Sequence, residues 1–185
     1  MKIKIFSYLR QMNAIRDDFP KDIKIFFKQL QNYLDTDIYF YGSVNRTDYV
    51  PGKSDIDVAI FTDNEYSVIT KLQHFLKVKR DAFDKIVWKL NGSMIYGYKI
   101  NCDKYMDVKC EIAIYNNDFK DIIINEFEIP IKHKTFLTTI LLYLLKLLHY
   151  QLPLIPKNIY VQLKRYVLNE MMVKKESVFL LLKQS

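Results

Sequence analysis

Apolar positions along this chain follow two periods. Ile23, Phe26, Phe27, Leu30 and Leu34 recur at helical spacing behind Pro20, which predicts an amphipathic helix with proline in its first turn. Asp37–Tyr41 is a short β-prone run that stops at Gly42. After a polar loop holding Pro51 and Gly52, residues 54–61 alternate: Ile56, Val58 and Ile60 share one face, and Asp55, Asp57 and Ala59 the other. Thr62 and Glu65 suggest a capping box before a second helical stripe, Val68, Ile69, Leu72, Phe75 and Leu76. Two β-prone runs, 86–90 and 94–100, flank Asn91-Gly92, a hairpin signal. A further alternating run, 106–115, sets Val108, Cys110, Ile112 and Ile114 against Asp107, Lys109 and Glu111. From Asp118 the pattern is helical. A Leu-rich segment over 135–149 stops ahead of Pro153 and Pro156, and a last helix over 157–173 carries Ile159, Leu163 and Val167 at i, i+4 spacing. Residues 1–19 fit a strand or a helix equally.

This order predicts an α+β domain: a small mixed sheet with helices gathered towards the C-terminal end. The chain has 185 residues, half of them apolar, enough for one core with a helical extension. The most apolar stretch, 136–148, is interrupted by Lys146 and falls short of the about 20 residues that span a membrane, so it reads as a buried core helix. Lys2 and Lys4 sit among the apolar residues of the start, which is unlike a secretory signal, and a cytoplasmic protein with no membrane partner is expected. Cys102 and Cys110 lack metal-ligand spacing and read as reduced thiols.

The net charge of +7 points to a polyanionic partner, nucleic acid or a nucleoside triphosphate. A coding sequence biased towards Lys, Ile, Asn and Tyr produces the same charge with no binding role. The clusters Lys77–Arg80, Lys132–Lys134, Lys164-Arg165 and Lys174-Lys175 accordingly read as solvated faces, with a nucleic-acid track as the alternative. His74, His133 and His149 read as structural, and Trp88 as core.

The stretch from Tyr41 to Phe61 carries the chemistry. A strand ends in Gly42-Ser43, where glycine allows a ligand close to the backbone. Ser43 and the amides after it can open a short helix that draws phosphate through free N–H groups and its dipole, with the Ser43 hydroxyl as cap. Asp55 and Asp57 then project from one strand face, about 7 Å apart at Cα by the strand rise. Carboxylates so placed can converge on two hard divalent cations about 3.5–4 Å apart, which clamp the attacking and leaving oxygens of a phosphoryl displacement. As a bare solvated face the same pair would repel and weaken the strand.

Gly42-Ser43, a loop, and then Ser54-Asp-Ile-Asp-Val58 resemble the signature of the nucleotidyltransferase superfamily of polymerase β, poly(A) polymerases and the minimal nucleotidyltransferases. The resemblance covers residues 20–125. It implies a polymerase β-like mixed sheet with flanking helices, a core over 1–128, and a C-terminal helical extension over 129–185 packed on it. It implies Asp55 and Asp57 as catalytic ligands of Mg²⁺ or Mn²⁺, Gly42 and Ser43 as nucleotide-binding residues, and a nucleoside triphosphate, by expectation ATP, as donor. The superfamily also uses a third carboxylate on a neighbouring strand. Met106-Asp-Val-Lys-Cys110 resembles that element and assigns Asp107, with Glu111, on the same face, as the alternative. Thr47 stands where many minimal members carry glycine, which weakens a phosphate role for Arg46. Lys53 and Lys109 remain candidates for phosphate or acceptor contact.

The implied reaction moves a nucleoside monophosphate to an acceptor hydroxyl (an RNA 3′ end, a protein or a small molecule) and releases pyrophosphate. The competing reading is a non-catalytic member of the fold, an antitoxin-like or scaffold subunit. In that case the Leu-rich helix is a docking face and shows an exposed apolar stripe.

Overall fold

The computed structural model describes residues 13–90, 92–104, 108–132, 135–171 and 178–182. Helix α1 (Lys21–Leu34) forms where its stripe predicts and buries all five of the apolar positions named above. It stops at Asp35, whose left-handed backbone (φ 54°) returns its N–H to Gln31 O. Strand β1 (Ile38–Tyr41) leads into a single 3₁₀ turn over Gly42–Asn45, held by the Asn45 side-chain amide, which donates to Phe40 O at 2.5 Å. Strand β2 (Ile56–Thr62) follows, then helix α2 (Glu65–Leu76). The predicted Thr62–Glu65 capping box is not the cap that forms. Thr62 still belongs to β2, and Asn64 takes the cap position, its side chain accepting from Ser67 N–H at 3.0 Å.

Strands β3 (Asp84–Leu90) and β4 (Ser93–Asn101) make the expected hairpin. Asn91 lies outside the described residues, and Gly92 takes φ 84°. Strand β5 (Cys110–Asn116) starts later than its alternation suggested, and helix α3 (Lys120–Lys132) follows. Helix α4 (Phe136–Lys146) runs into one π turn (Leu147–Gln151), and helix α5 (Lys157–Met171) comes after it. A strand that sequence reading did not anticipate, β6 (Val178–Leu182), pairs antiparallel with β3 at the sheet edge. The chain after residue 129 is therefore not wholly helical.

The sheet has six strands in the order β1-β2-β5-β4-β3-β6, and only the β2–β5 pair is parallel. Alternation sorts its side chains between two cores. Ile38, Phe40, Val58, Ile60, Ile100, Ile112 and Ile114 face α1 and α2, where Phe27, Leu30, Ile69 and Leu72 meet them. Tyr39, Ala59, Phe61, Ala113 and Tyr115 face α3, through Ile123 and Ile124. Ala59 and Ala113 are in register, and their small side chains let α3 lie close to the sheet. The same face, continued towards the start of β2, carries Asp57 and Glu111, also in register.

Helices α4 and α5 build a separate core from Leu142, Leu145, Tyr160 and Val167. The expected buried helix over 136–148 is only half realised. Phe136 is 82% exposed and Leu137 73%, and Ile140, Leu141 and Leu144 continue that stripe. The cause is partnering: α5 covers the Leu142–Leu145 side, and Ile159 and Leu163 of α5 are themselves exposed. An exposed stripe is what the docking reading anticipates. Among the described residues no helix is long and apolar enough to cross a membrane, and both cysteines are buried free thiols.

Gly97 shows how tightly β4 meets β5. A Cβ there would stand 2.5 Å from Ile114 O and 2.7 Å from the Tyr115 ring. Gly97→Ala is expected to destabilise the fold by roughly 1–3 kcal/mol through overpacking, read as a shifted urea midpoint; an unchanged midpoint would contradict the packing described.

Candidate active site

Gly42 and Ser43 fasten the turn after β1 onto the two aspartates. Gly42 has φ 70°, and a Cβ at this position would fall on Asp57 Oδ2 and lie 3.1 Å from Asp57 Cγ. Glycine is required there on both counts. Ser43 is buried, and its Oγ donates to Asp55 O at 3.4 Å. The hydroxyl thus ties the turn to the strand entry and is not the helix cap that sequence reading suggested. Before the turn, the Tyr41 ring stacks on Phe127 of α3 with centroids 3.9 Å apart. Helix α3 therefore seals the sheet face up to the point where the acids begin.

Asp55 is exposed just ahead of β2, and Asp57 is half-buried in its second position. Across the sheet Asp57 is in register with Tyr41 on one side and Glu111 on the other. Parallel neighbours lie about 4.8 Å apart, so the Asp57 and Glu111 carboxylates stand side by side. Glu111 also pairs with Lys99 at 2.7 Å. Burial, then the charges of Glu111 and Asp55, push the Asp57 carboxyl up to about 7, against the opposing pull of Lys164 and Arg46. Asp107, the first choice from sequence for the third carboxylate, lies outside the described residues.

Among the described residues no three Asp, Glu, His or Cys side chains already enclose an ion. The donors nevertheless fit a hard divalent cation. They are carboxylate oxygens, and Asp57 is crowded by two like charges in a way that a cation would relieve.

Behind the motif sits an ion cluster that sequence reading missed. Asp48 is buried in the β1–β2 loop and accepts from Arg46 Nε at 2.8 Å and Nη2 at 3.2 Å. Lys146, the last residue of α4, enters the same loop and uses all three of its donors. It gives to Asp48 O at 2.6 Å, to Ser54 Oγ at 3.1 Å and to Asp48 Oδ2 at 3.1 Å. Ser54 Oγ in turn accepts from Val50 N–H at 3.1 Å, one residue before Asp55. Burial alone would raise the Asp48 carboxyl, but the bond and charge of Arg46, then those of Lys146, bring it down to about 2. Arg46 is thus held inside the loop rather than offered to a phosphate. The signal for Lys146 was its position as the single charge in an apolar run, which demands a buried partner.

A cleft of about 470 Å³ opens between this motif and α4–α5. Ser43, Asp55 and Asp57 form one wall, with Lys53, Lys109 and Asp103 beside them. His149, Tyr150 and Tyr160 form the other, with His149 and Tyr160 stacked at 4.5 Å and 12°. Lys53 Nζ crosses to Tyr150 O at 3.2 Å. No spacing in the sequence marks these three aromatic residues, because His149 and Tyr150 lie in the π turn and Tyr160 in α5, and only the packing of one on the other brings them together.

Two pH responses follow. The Asp57 carboxyl holds its proton more tightly in the folded protein than in the unfolded one. The stability this confers is present below the ordinary value of 3.8 and is lost as pH rises to about 7. In EDTA at pH 8, Asp57→Asn should therefore be more stable than the parent by urea unfolding, with the difference closing towards pH 4; no gain at pH 8 would refute the crowding. Asp48 has the opposite sign. Its contribution is present above 3.8 and disappears as pH falls to about 2. Asp48→Asn leaves Arg46 and Lys146 buried against each other and should cost about 3–5 kcal/mol at pH 7. A near-neutral unfolding midpoint would show that the cluster is not a buried ion network.

The family model of the nucleotidyltransferase domain matches residues 21–132, from α1 to the end of α3. Among solved structures the chain is similar to a cytoplasmic RNA terminal U-transferase, at 15% identity and a TM-score of 0.41. It is also similar to the Cid1 poly(U) polymerase, at 14% identity and a TM-score of 0.42. Each alignment covers 78% of this chain and 44% of the other, so the chain spans less than half the length of either. No curated protein matches it. The family match covers more than half of the chain and includes the Gly42-Ser43 turn, the Asp55–Asp57 strand and Glu111, and the chain belongs to the nucleotidyltransferase domain family.

Proposed function

We propose that the protein transfers a nucleoside monophosphate from a nucleoside triphosphate to an acceptor hydroxyl in the cleft between the sheet and α4–α5. The observation that carries this reading is the packing of Gly42 on Asp57, which puts the turn after β1 against a crowded carboxylate that lines the cleft. Asp55, Asp57 and one further acid would hold Mg²⁺ or Mn²⁺. Glu111 takes the third place in this reading, because it is in register with Asp57; Asp107 is the alternative. Bound cations of this kind neutralise phosphate charge and lower the pKa of an attacking hydroxyl.

The chain's own residues do the rest. The Gly42-Ser43 turn receives the phosphates through its N–H groups, and Lys53 and Lys109 line the route to them. The exposed part of Tyr150 offers a wall for the nucleobase, with ATP the expected donor. The acceptor oxygen forms a bond to the α-phosphorus as the bond from that phosphorus to its bridging oxygen breaks, and pyrophosphate leaves. Positioning and charge compensation supply the rate enhancement. Lys146, through Ser54 and Asp48, holds the loop that aims Asp55.

The exposed stripe on α4 favours a second reading, a non-catalytic subunit of the same fold. One experiment separates the two. The purified protein is incubated with each α-labelled nucleoside triphosphate and Mg²⁺ or Mn²⁺, with total RNA in one arm and lysate protein in the other. Asp57→Asn should lower transfer at least about 10³-fold, Glu111→Gln should lower it by a similar factor, and Asp107→Asn should retain most of it. The reverse order for Glu111 and Asp107 would move the third carboxylate to Asp107. A parent protein that labels nothing in either arm, or a folded Asp57→Asn variant with full transfer, would remove the assignment.

A further inference from the structure

One sheet face is only partly covered. Helices α1 and α2 pack on β1, β2, β5 and the end of β4, and their core reaches Tyr98 but no residue of β3 or β6. Beyond it, alternation turns Met94 and Tyr96 of β4, Val87 of β3, and Leu180 and Leu182 of β6 to the same open side. The opposite side of β3 and β4, with Ile86, Trp88, Leu90 and Ile95, is buried. A sheet face left to solvent is normally polar. Here Tyr96 is 60% and Leu180 53% exposed, and Met94 and Leu182 are exposed with them.

The strand register orders this surface. Tyr96, Val87 and Leu180 are direct neighbours across three strands and form an apolar band about 10 Å long. Lys85 borders the band on one side and Lys89 on the other, about 13 Å apart along β3. Beside Lys85 the surface deepens into a cavity of about 410 Å³, walled by Tyr66 of α2 and by Tyr98. Arg80 braces that wall. Its guanidinium lies 5.0 Å from the Tyr66 ring and 5.3 Å from the Tyr98 ring, and the two hydroxyls meet at 3.3 Å. Among the described residues Arg80, Lys85 and Lys89 form no ion pair, and Glu65 is the one acid lining the cavity.

An α-helix is about 10–12 Å across, and two of its turns rise about 11 Å. Two turns laid along the band therefore fit between the lysines. We infer that this face docks an amphipathic helix of another protein, with its apolar stripe on Tyr96, Val87 and Leu180 and acidic flanks against Lys85 and Lys89. A second copy of this chain does not supply that helix. The exposed stripe of α4 has no charge before Lys146, and α5 carries Lys157, Lys164 and Arg165 with no acid before Glu170. A nucleic-acid strand needs rings under its bases and cations along one track. Here much of the contact is aliphatic, and the two lysines face each other across the band. The face shares no lining residue with the cleft at Asp55 and Asp57, so its partner does not depend on the transferase reading.

The test is a display selection on the full chain. Helical peptides of about 18 residues, or about five turns, share a fixed stripe of Leu and Phe and vary between Glu, Gln and Lys on both flanks. Selection should enrich Glu on both flanks. The best peptide should bind about fivefold more weakly to Lys85→Gln/Lys89→Gln, and at least about thirtyfold more weakly to Tyr96→Ser/Leu180→Ser. Selection on Lys85→Glu/Lys89→Glu should enrich Lys flanks instead. Lys21→Gln/Lys28→Gln, on α1, should bind like the parent. Every side chain replaced is exposed, so far-ultraviolet dichroism should match the parent in each variant. No enrichment of acidic flanks, or the same flanks selected by the charge-reversed variant, would overturn the inference. A parent dimer in sedimentation that Tyr96→Ser/Leu180→Ser dissociates would give the face to a second copy. A 12-nucleotide RNA whose binding that variant abolishes would give it to nucleic acid; either result overturns the helix.

Discussion

Gly42 can carry no side chain because the Asp57 carboxylate occupies the space a Cβ would take. That single contact joins the end of β1 to the start of β2 and sets the depth at which the acid lies. The strand register then brings Glu111 beside Asp57 on the other flank. The result is a carboxyl pushed up to about 7, a state that disfavours the empty fold at neutral pH and that a bound cation would relieve. Stability has been given up at the place where the chemistry is proposed to occur, as is usual for sites built to receive charge.

The buried ion cluster extends the same logic across the cleft. Asp48, Arg46 and Lys146 link the β1–β2 loop to α4, and Ser54 passes that anchorage to the residue before Asp55. The cleft walls are therefore not independent. Helix α4 and its π turn supply the aromatic side, and their attachment runs through the loop that presents the acids. A buried ion network is weak evidence for stability but a good device for fixing one geometry, and here the geometry it fixes is that of the motif.

Much of the site was legible in the sequence, because strand alternation is local. The pattern of residues 54–61 already separated Asp57 from Ile56, Val58 and Ile60, and the structure keeps those faces. Glu111 was assigned the correct face from alternation, whereas its place on a strand beside β2 came only from the family resemblance, since β2 and β5 join by a parallel pairing across the whole hairpin. Lys146 stood out as a lone charge, yet its partners lie more than ninety residues earlier in the chain. The Leu-rich helix misled in the other direction: apolar composition implied burial, whereas only the side against α5 has a partner. β6 was invisible to alternation, because Val178–Leu182 is a continuous apolar run. Asp107, the first choice from sequence for the third carboxylate, lies outside the described residues.

The central claim is that the turn at Gly42 and the acids at Asp55 and Asp57 form one cation-dependent nucleotide site. Calorimetric titration of a non-hydrolysable ATP analogue into the protein, with and without Mn²⁺, tests it directly. Binding is expected to depend on Mn²⁺ in the parent and to be lost in both Asp57→Asn and Gly42→Ala when far-ultraviolet dichroism shows each variant folded. Parent-like, Mn²⁺-dependent binding by a folded Asp57→Asn protein would contradict it.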